Sequence, residues 1–269
     1  MYWQKRFNRV NPDQELEEVM ILIHDEHKDY GYRRMQQELK RKGYIVNKKK
    51  VQRLMRKLDI RVESFTRKSR RYSSYKGKVG KVTKNLLKRR FKTNITHQKI
   101  TTDTTEFKYY DRNNNGIINQ KKLYLNPFLD MFNGEVISYR ISQAPTFEPI
   151  EEAMKEAIEK TSDCIYRRTF HSDQGWAYQM KKYGKVLKEN KIFQSMSRKG
   201  NCIDNSPMEN FFGLLKQEMY YGKTFQSYEE LKEAIDNYIN YYNEKRIKEK
   251  LGWLSPIEYR EKHKKLEAA

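Results

Sequence analysis

The run Ile100-Thr101-Thr102-Asp103-Thr104-Thr105 opens the part of the chain whose pattern decides the fold. Five of its six residues are β-branched, a composition that favours a strand over a helix. An acid is out of place by propensity in such a strand, so Asp103 is a first candidate for a functional residue. Taken alone, it also fits an ordinary surface position on a strand.

The segments that follow this run predict an α/β fold. Strands are predicted at 100–110, 122–132 and 135–142, separated by the turn signals Asn113-Asn114-Asn115-Gly116 and Asn133-Gly134. Further on, the pattern predicts helix 148–162, strand 165–170, helix 178–189, strand 192–195, helix 207–220 and helix 228–243. Three antiparallel strands followed by alternating helices and strands predict a layer with a mixed five-stranded sheet.

Two further acids stand where such a fold places its ligands. Asp173 follows the predicted strand 165–170 in His171-Ser172-Asp173-Gln174-Gly175, at a carboxyl end of the sheet. Glu209 falls in the first turn of the helix predicted from Pro207. Carboxylates are the ligands that Mg²⁺ prefers, and a pair of such ions supports attack on phosphorus. The three acids together indicate metal-dependent phosphoryl transfer.

Each acid also has an ordinary structural interpretation. Asp173 fits a turn, and Glu209 fits a first-turn position favoured by the helix dipole. Asp130, before the turn Asn133-Gly134, is the acid most easily mistaken for a member of the set. Asp204-Asn205 fits simple capping and turn chemistry ahead of the predicted helix 207–220.

The charge balance points to a polyanion as partner. Lys and Arg number 56 against 35 Asp and Glu, which gives a net charge of +21, and the isoelectric point is near 9.7. Acids on so basic a chain approach phosphates only if cations bridge the two, which favours a nucleic acid as substrate. The two cysteines, Cys164 and Cys202, indicate neither a disulfide framework nor a zinc site. Without a signal-peptide pattern or an apolar run of about twenty residues, we expect a cytoplasmic, nucleoid-associated protein.

Residues 14–60 predict a small helical domain. Apolar residues recur at helical spacing in three stretches, and Asn47 is the expected cap of the third helix. That helix carries Lys48, Lys49, Lys50 and Arg53. The pattern favours a helix-turn-helix whose last helix enters a major groove. A solvated bundle with lysines for solubility fits the pattern as well.

Residues 61–92 predict a basic linker. They contain thirteen Lys or Arg residues and a single acid, Glu63. The densest part of the linker contributes Arg67, Lys68, Arg70 and Arg71 as candidate phosphate contacts. We expect a mobile segment that lies along phosphates when DNA is bound, or else a solvated connection between domains.

Several motifs together carry a family resemblance. They are Thr102-Asp103, the His171–Gly175 motif, and Asn201-Cys202-Ile203-Asp204-Asn205-Ser206-Pro207-Met208-Glu209, with 35 residues between Asp173 and Glu209. Tyr30-Gly31-Tyr32-Arg33-Arg34 and Leu254-Ser255-Pro256-Ile257-Glu258-Tyr259 extend the match toward both ends. The chain resembles the D-D-E transposases of bacterial insertion sequences, and more narrowly the downstream-frame product of two-frame elements. These proteins have a retroviral-integrase-like catalytic core.

The resemblance implies a function and a set of partners. It implies a ribonuclease H-like core in which Asp103, Asp173 and Glu209 bind two Mg²⁺ ions, which Mn²⁺ can replace. It also implies double-stranded DNA at element ends and target sites, a homo-oligomer on paired ends, and an upstream-frame partner product. Arg198, Lys199, Asn201 and Lys216 are the expected DNA contacts near the metals.

The expected domains are a helix-turn-helix-like domain at 1–60, the linker at 61–92, the core at 93–245 and a tail at 246–269. The expected activity is DNA strand cleavage and strand transfer. Two alternatives stay open: a ribonuclease H-like nuclease without strand transfer, and a DNA-binding regulator or decayed, inactive transposase.

Overall fold

The computed structural model describes residues 11–63, 80–112, 118–198 and 202–267. The chain divides into two compact units, Met1–Arg67 and Lys68–Ala269. Six of the candidate DNA contacts lie outside the described residues, and the predictions for them stay predictions: Arg67, Lys68, Arg70, Arg71, Lys199 and Asn201.

Three helices form the first unit: α1 Gln14–Glu26, α2 Tyr32–Arg41 and α3 Lys48–Lys57. The predicted apolar stripes are confirmed, because side chains from all three helices share one core in which Met20 and Leu54 have no exposed surface. Gly43, between α2 and α3, has a φ of +91°, a left-handed conformation that glycine adopts without strain. Asn47 caps α3 as expected, since its side chain accepts a hydrogen bond from the Lys49 backbone N–H.

A mixed sheet forms the centre of the second unit. Its strands are β1 Lys99–Thr102, β2 Thr105–Arg112, β3 Ile118–Asp130, β4 Val136–Ser142, β5 Thr169–Ser172 and β6 Phe193–Met196. β3 runs antiparallel to β1, β2 and β4, whereas β5 is parallel to both β1 and β6. β1 therefore lies at the centre of the sheet, between β3 and β5. This is a mixed α/β sheet, as the sequence pattern predicts.

The sheet has six strands rather than five within the described residues, because the predicted strand 100–110 is interrupted after Thr102. Both halves keep the same antiparallel register with β3. Thr102 pairs with Phe128, so Asp103 comes opposite Pro127. A proline has no N–H to donate to a strand ladder. The interruption therefore coincides with a missing donor on β3, and Asp103 lies in the gap.

Helices cover the sheet through two separate cores. They are α4 Glu148–Lys160, α5 Trp176–Gln179, α6 Lys181–Glu189, α7 Ser206–Leu215 and α8 Tyr228–Glu244. The first three pack with Ile100 and Phe170. The last two pack with Phe107 and Leu123. The two cores thus pack against the sheet, and the first of them buries residues of β1 and β5, the strands that the candidate acids Asp103 and Asp173 follow.

Three predicted elements differ in extent from the observed ones. The strand expected from Ile165 begins only at Thr169, since Ile165 is 89% exposed and outside the sheet. The helix 178–189 is split because Met180 has an extended backbone. The helix expected to reach Tyr220 is α-helical only to Leu215 and continues as one π-helical turn, Lys216–Tyr220.

The described end of the predicted linker is held against the core. We call residues 80–92 the strap. The backbone N–H of Lys81 donates to the Gln179 carbonyl at 3.2 Å, and that of Leu86 donates to Ser195 Oγ at 2.9 Å. At Gly80 the approach is so close that an added Cβ would lie 2.1 Å from the Gln179 carbonyl oxygen. Only glycine fits there without a shift of the backbone.

The predicted tail, residues 246–269, contains helices that the sequence pattern did not predict. Within residues 246–269 are a 3₁₀ turn, Glu249–Leu251, and helix α9, Pro256–Glu267. The Asn133 side chain donates to the Pro256 carbonyl at 2.9 Å, and Arg260 pairs with Glu135 at 2.8 Å. Among the helices in the described ranges, none has the length and apolar character needed to cross a bilayer.

A buried ion pair provides a test of this packing. The side chains of Arg246 and Glu218 are 3% and 5% exposed, and the Tyr238 hydroxyl also donates to Glu218. Glu218→Gln leaves the arginine buried without a counter-charge, so we expect a loss of about 3–5 kcal/mol in the free energy of unfolding. Urea unfolding followed by tryptophan fluorescence measures it. Arg140→Gln, at a more exposed pair with Glu156, should cost at most about 1 kcal/mol. Equal losses would contradict the role of burial.

Candidate active site

The parallel pairing of β1 with β5 brings two of the candidate acids together. Lys99 pairs with Thr169, and Thr101 pairs with His171. Two residues further on, the same register sets Asp103 beside Asp173. Neighbouring strands lie about 4.8 Å apart, so the two carboxylates are adjacent at the carboxyl edge of the sheet.

Each of these carboxylates is oriented by its own turn. Oδ1 of Asp103 accepts a hydrogen bond from the Thr104 backbone N–H at 2.7 Å. Oδ1 of Asp173 accepts one from the Gly175 backbone N–H, also at 2.7 Å. A Cβ added at Gly175 would lie 2.9 Å from the same Asp173 oxygen. The glycine is therefore what allows the backbone to approach the carboxylate so closely.

Glu209 lies near enough to Asp103 to affect its charge, although it belongs to a helix rather than to the sheet. It lies in the first turn of α7, where Pro207 is well suited because the first helical residues have no intrahelical use for an N–H. Burial raises the pKa of Asp103 well above its usual range, and the carboxylates of Asp173 and Glu209 raise it further. Burial also raises the pKa of Asp173 and of Glu209. Asp173 and Glu209 therefore lie near enough to Asp103 to repel its charge, and we call the three acids the acidic cluster.

The donor set of this cluster fits a divalent cation. All three side chains offer hard carboxylate oxygens, which suit Mg²⁺, and their mutual repulsion is the condition that a bound cation relieves. In the described ranges, the His, Cys, Asp and Glu side chains include no ready-made group of three around a single point. One oxygen each of Asp103 and Asp173 accepts a backbone N–H, which leaves the second oxygen of each carboxylate without a hydrogen bond from that turn.

Lys216 lies beside the cluster, in the π-helical turn after α7. Its Nζ donates to the Glu106 carbonyl at 3.0 Å and stands 4.9 Å from the centroid of the Phe107 ring. Its charge lowers the pKa of Asp103, opposing the effect of burial. The structure therefore brings Lys216 close to the acids, as the sequence spacing predicts.

The other predicted DNA contacts within the described residues differ in their surroundings, because some are ion-paired and others are exposed. Arg198 is bound to a buried carboxylate, that of Asp204, at 2.8 Å. In the helical unit, Asp13 binds both Lys50, at 2.6 Å, and Arg53, at 2.8 Å. Lys48 and Lys49 are instead exposed at the start of α3. Half of the α3 cations expected to contact DNA are thus ion-paired to α1's N-cap residue, Asp13.

Asp130 has a purely structural setting. Its side chain has no exposed surface and accepts the backbone N–H groups of His97 and Phe132, both at 2.9 Å. It pairs with Ile100, at the end of β1 opposite to Asp103. Burial raises its pKa to about 6. The structure thus separates Asp130 from the other three acids.

His171 is fully buried, and both of its ring nitrogens form hydrogen bonds. The Asp204 carbonyl can only accept, so Nε2 of His171 carries the ring proton and donates to it at 2.8 Å. In the neutral ring, Nδ1 then accepts a hydrogen bond from the Ser195 hydroxyl at 2.9 Å, and Ser195 Oγ also accepts one from the Leu86 backbone N–H. His171 therefore joins β5 to β6 and to the turn before α7. The position of His171 two residues before Asp173 favours a packing role near the acids, but no local pattern specifies its partners Ser195 and Asp204.

Comparison with known proteins identifies the family. Models described as "Integrase core domain" match residues 94–202 and 209–263, and a model described as "HTH-like domain" matches residues 12–69. A putative transposase InsK for insertion sequence element IS150 of Escherichia coli is 44% identical over 242 residues, covering 90% of this chain and 81% of that protein. The chain belongs to the insertion-sequence transposases with an integrase core. A transposase-like protein of Haemophilus influenzae is 47% identical over 80% of this chain and 93% of its own length.

A solved structure is similar at lower identity. The HTLV-2 integrase catalytic core domain, in complex with magnesium, is 16% identical to the transposase and has a TM-score of 0.46. The match covers 61% of this chain and 97% of that one. Such a likeness is too slight to add to the family assignment.

The protonation of His171 gives a prediction for this transposase. Burial lowers the pKa of His171, so the folded chain keeps the ring neutral where the unfolded chain begins to protonate it, near pH 6.5. The unfolded state then binds more protons, and stability falls as the pH falls below about 6.5. We expect the melting temperature to drop between pH 7 and pH 5.5, and to drop less in His171→Gln. The same pH dependence in both proteins would argue against a buried neutral ring.

Proposed function

We propose that the transposase catalyses metal-dependent strand cleavage and strand transfer at the ends of an insertion sequence. Asp103, Asp173 and Glu209 are the catalytic, metal-binding triad of this proposal, with two Mg²⁺ ions that Mn²⁺ can replace. The observation that carries it is the register of β1 with β5, which sets Asp103 beside Asp173. The combined effect of Asp173 and Glu209 on Asp103 supports Glu209 as the third member.

The chain's own residues have distinct roles in this proposal. When bound, the metal ions activate the attacking water or 3′-hydroxyl and stabilise the leaving oxygen. Asp103 and Asp173, fixed at adjacent strand ends, hold one side of the centre, and Glu209 approaches from α7. Lys216, beside Asp103, is suited to hold a DNA phosphate near the acids, as are Arg198, Lys199 and Asn201 in the preceding loop. The proposed reaction does not require a covalent intermediate between a tyrosine and DNA.

DNA is the proposed partner of both units. The exposed start of α3, with Lys48 and Lys49, supports contact of the helical unit with a major groove. On the core, Lys81, Lys84 and Lys88 are exposed along the strap. Together with the predicted contacts at 67–71, they would follow the phosphate backbone. We further propose assembly as a homo-oligomer on paired ends and cooperation with an upstream-frame product.

A joining assay tests the triad. Asp103→Asn, Asp173→Asn and Glu209→Gln should each reduce joining of labelled end DNA to a plasmid by at least about a thousandfold, roughly 4 kcal/mol of transition-state stabilisation. DNA binding should be unchanged or tighter, because each variant removes a negative charge that repels phosphate. Asp130→Asn is the matched control, since it alters a buried acid at the opposite end of β1 and should keep joining per folded molecule.

The rival functions give different results in that assay. Cleavage without a joined product would indicate a ribonuclease H-like nuclease. Tight binding with no joining by the unaltered chain, in either Mg²⁺ or Mn²⁺, would indicate that joining requires the upstream-frame product, or that the chain is a regulator or an inactive transposase. Full joining by a triad variant would refute the assignment of that acid.

The ion pairs of α3 give a second test. Lys49→Gln removes an exposed cation, so we expect the slope of log affinity against log salt concentration to become shallower by about 1. Arg53→Gln should change the slope less, because its guanidinium is already paired with Asp13. Filter binding to end DNA at several salt concentrations measures both slopes. The interpretation would be wrong if Arg53→Gln had the larger effect.

A further inference from the structure

A single turn connects the three segments that carry the proposed triad: it is hydrogen-bonded to two of them and leads directly into the third. This turn, Cys202–Asn205, precedes α7. The Asp204 carbonyl accepts from His171, two residues before Asp173. The Asn205 side chain accepts from the Thr101 hydroxyl and donates to the Thr102 carbonyl, just before Asp103. α7 starts directly after Asn205 and carries Glu209.

The turn is itself held by a buried carboxylate. Asp204 has no exposed surface. Arg198 donates to it through Nε at 2.8 Å, Nη2 at 3.0 Å and its backbone N–H at 3.1 Å. Arg89 donates through Nε at 3.0 Å, and Asn85 through its side-chain amide at 3.0 Å. We call these four residues the Asp204 clamp.

The clamp receives its donors from two separate segments. Arg198 belongs to the chain just after β6, whereas Asn85 and Arg89 belong to the strap. The two guanidinium groups hold the pKa of Asp204 far below its usual range, so the carboxylate is charged at any physiological pH. A buried charge with this many donors is costly to disturb, since the loss of one partner leaves the rest of the site unbalanced. The position of the turn is therefore set jointly by the strap and the loop.

We propose that Asp204 and Arg89 are positioning residues of the metal centre: the clamp fixes the turn, and the turn sets the distance of Glu209 from Asp103 and Asp173. This inference rests on the proposed function and adds to it a role for the strap. The strap holds the third acid in place from outside the sheet. Residues that hold metal ligands in position typically change metal affinity about 10–100-fold when they are altered.

Binding of Mn²⁺ to the intact chain tests the clamp without recourse to catalysis. Electron paramagnetic resonance of free Mn²⁺ gives the dissociation constant for the unaltered chain, Asp204→Asn and Arg89→Gln. We expect both variants to raise Kd about tenfold. Charge alone predicts opposite shifts, because loss of an anion weakens cation binding whereas loss of a cation strengthens it. If both variants raise Kd, the cause is therefore the position of the metal ligands and not the change of net charge near the site.

Two controls keep the test decisive. Arg260→Gln breaks another partly buried arginine–carboxylate pair, with Glu135, near the end of the sheet away from Asp103, and should leave Kd unchanged. The Arg89 side chain is 44% exposed, so Arg89→Gln should fold even if Asp204→Asn does not. An unchanged or lowered Kd in folded Arg89→Gln would overturn the proposal.

The same titration distinguishes failure of the clamp from failure of the proposed function. If the unaltered chain bound no Mn²⁺, or if Asp103→Asn bound it equally well, the metal centre itself would be refuted. If Asp103→Asn lost Mn²⁺ while Arg89→Gln bound it normally, only the positioning role would be refuted.

Discussion

The parallel pairing of β1 with β5 is the constraint on which the candidate site depends. Parallel strands that start in register also end in register, so residues at equal distances along each strand meet at one edge. Here that rule puts two carboxylates side by side, although their repulsion disfavours the arrangement. The pairing is maintained by the hydrophobic core that contains Ile100 and Phe170, both of which are almost completely buried. Hydrophobic burial along the strands thus offsets electrostatic cost at their ends.

The interruption between β1 and β2 leaves Asp103 outside the regular strand pairing of the sheet. Asp103 comes opposite Pro127, where β3 has no N–H to offer. The Asp103 carboxylate instead binds the backbone of the next residue, Thr104. At the neighbouring strand end, Gly175 lets Asp173 do the same. In both places a residue with unusual backbone properties, a proline or a glycine, stands where regular structure gives way to the site.

The fold class could be predicted from the sequence because it depends on local patterns, whereas the grouping of Asp103, Asp173 and Glu209 was predicted from the order of the strands and from the family resemblance. Strand periodicity, turn residues and the position of Glu209 after Pro207 are all readable over short windows. Long-range pairing was not readable in this way. The ion pairs of Asp13 with Lys50 and Arg53, and those of Asp204 with Arg89 and Arg198, join residues whose partners no local pattern specifies. The strap was predicted as mobile for the same reason, since its low apolar content hides a few specific contacts.

The ion pairs between α1 and α3 also give the helical unit an uneven charge. Asp13 and Glu17 compensate Lys50, Arg53 and Lys57 along one side of α3, while Lys48 and Lys49 at its first turn remain exposed. The positive end of the helix dipole lies at the same place and adds to their field. Near a polyanion, such a unit experiences a torque as well as an attraction. It would rotate during diffusion so that the first turn of α3 leads, and fewer encounters would be lost to wrong orientations.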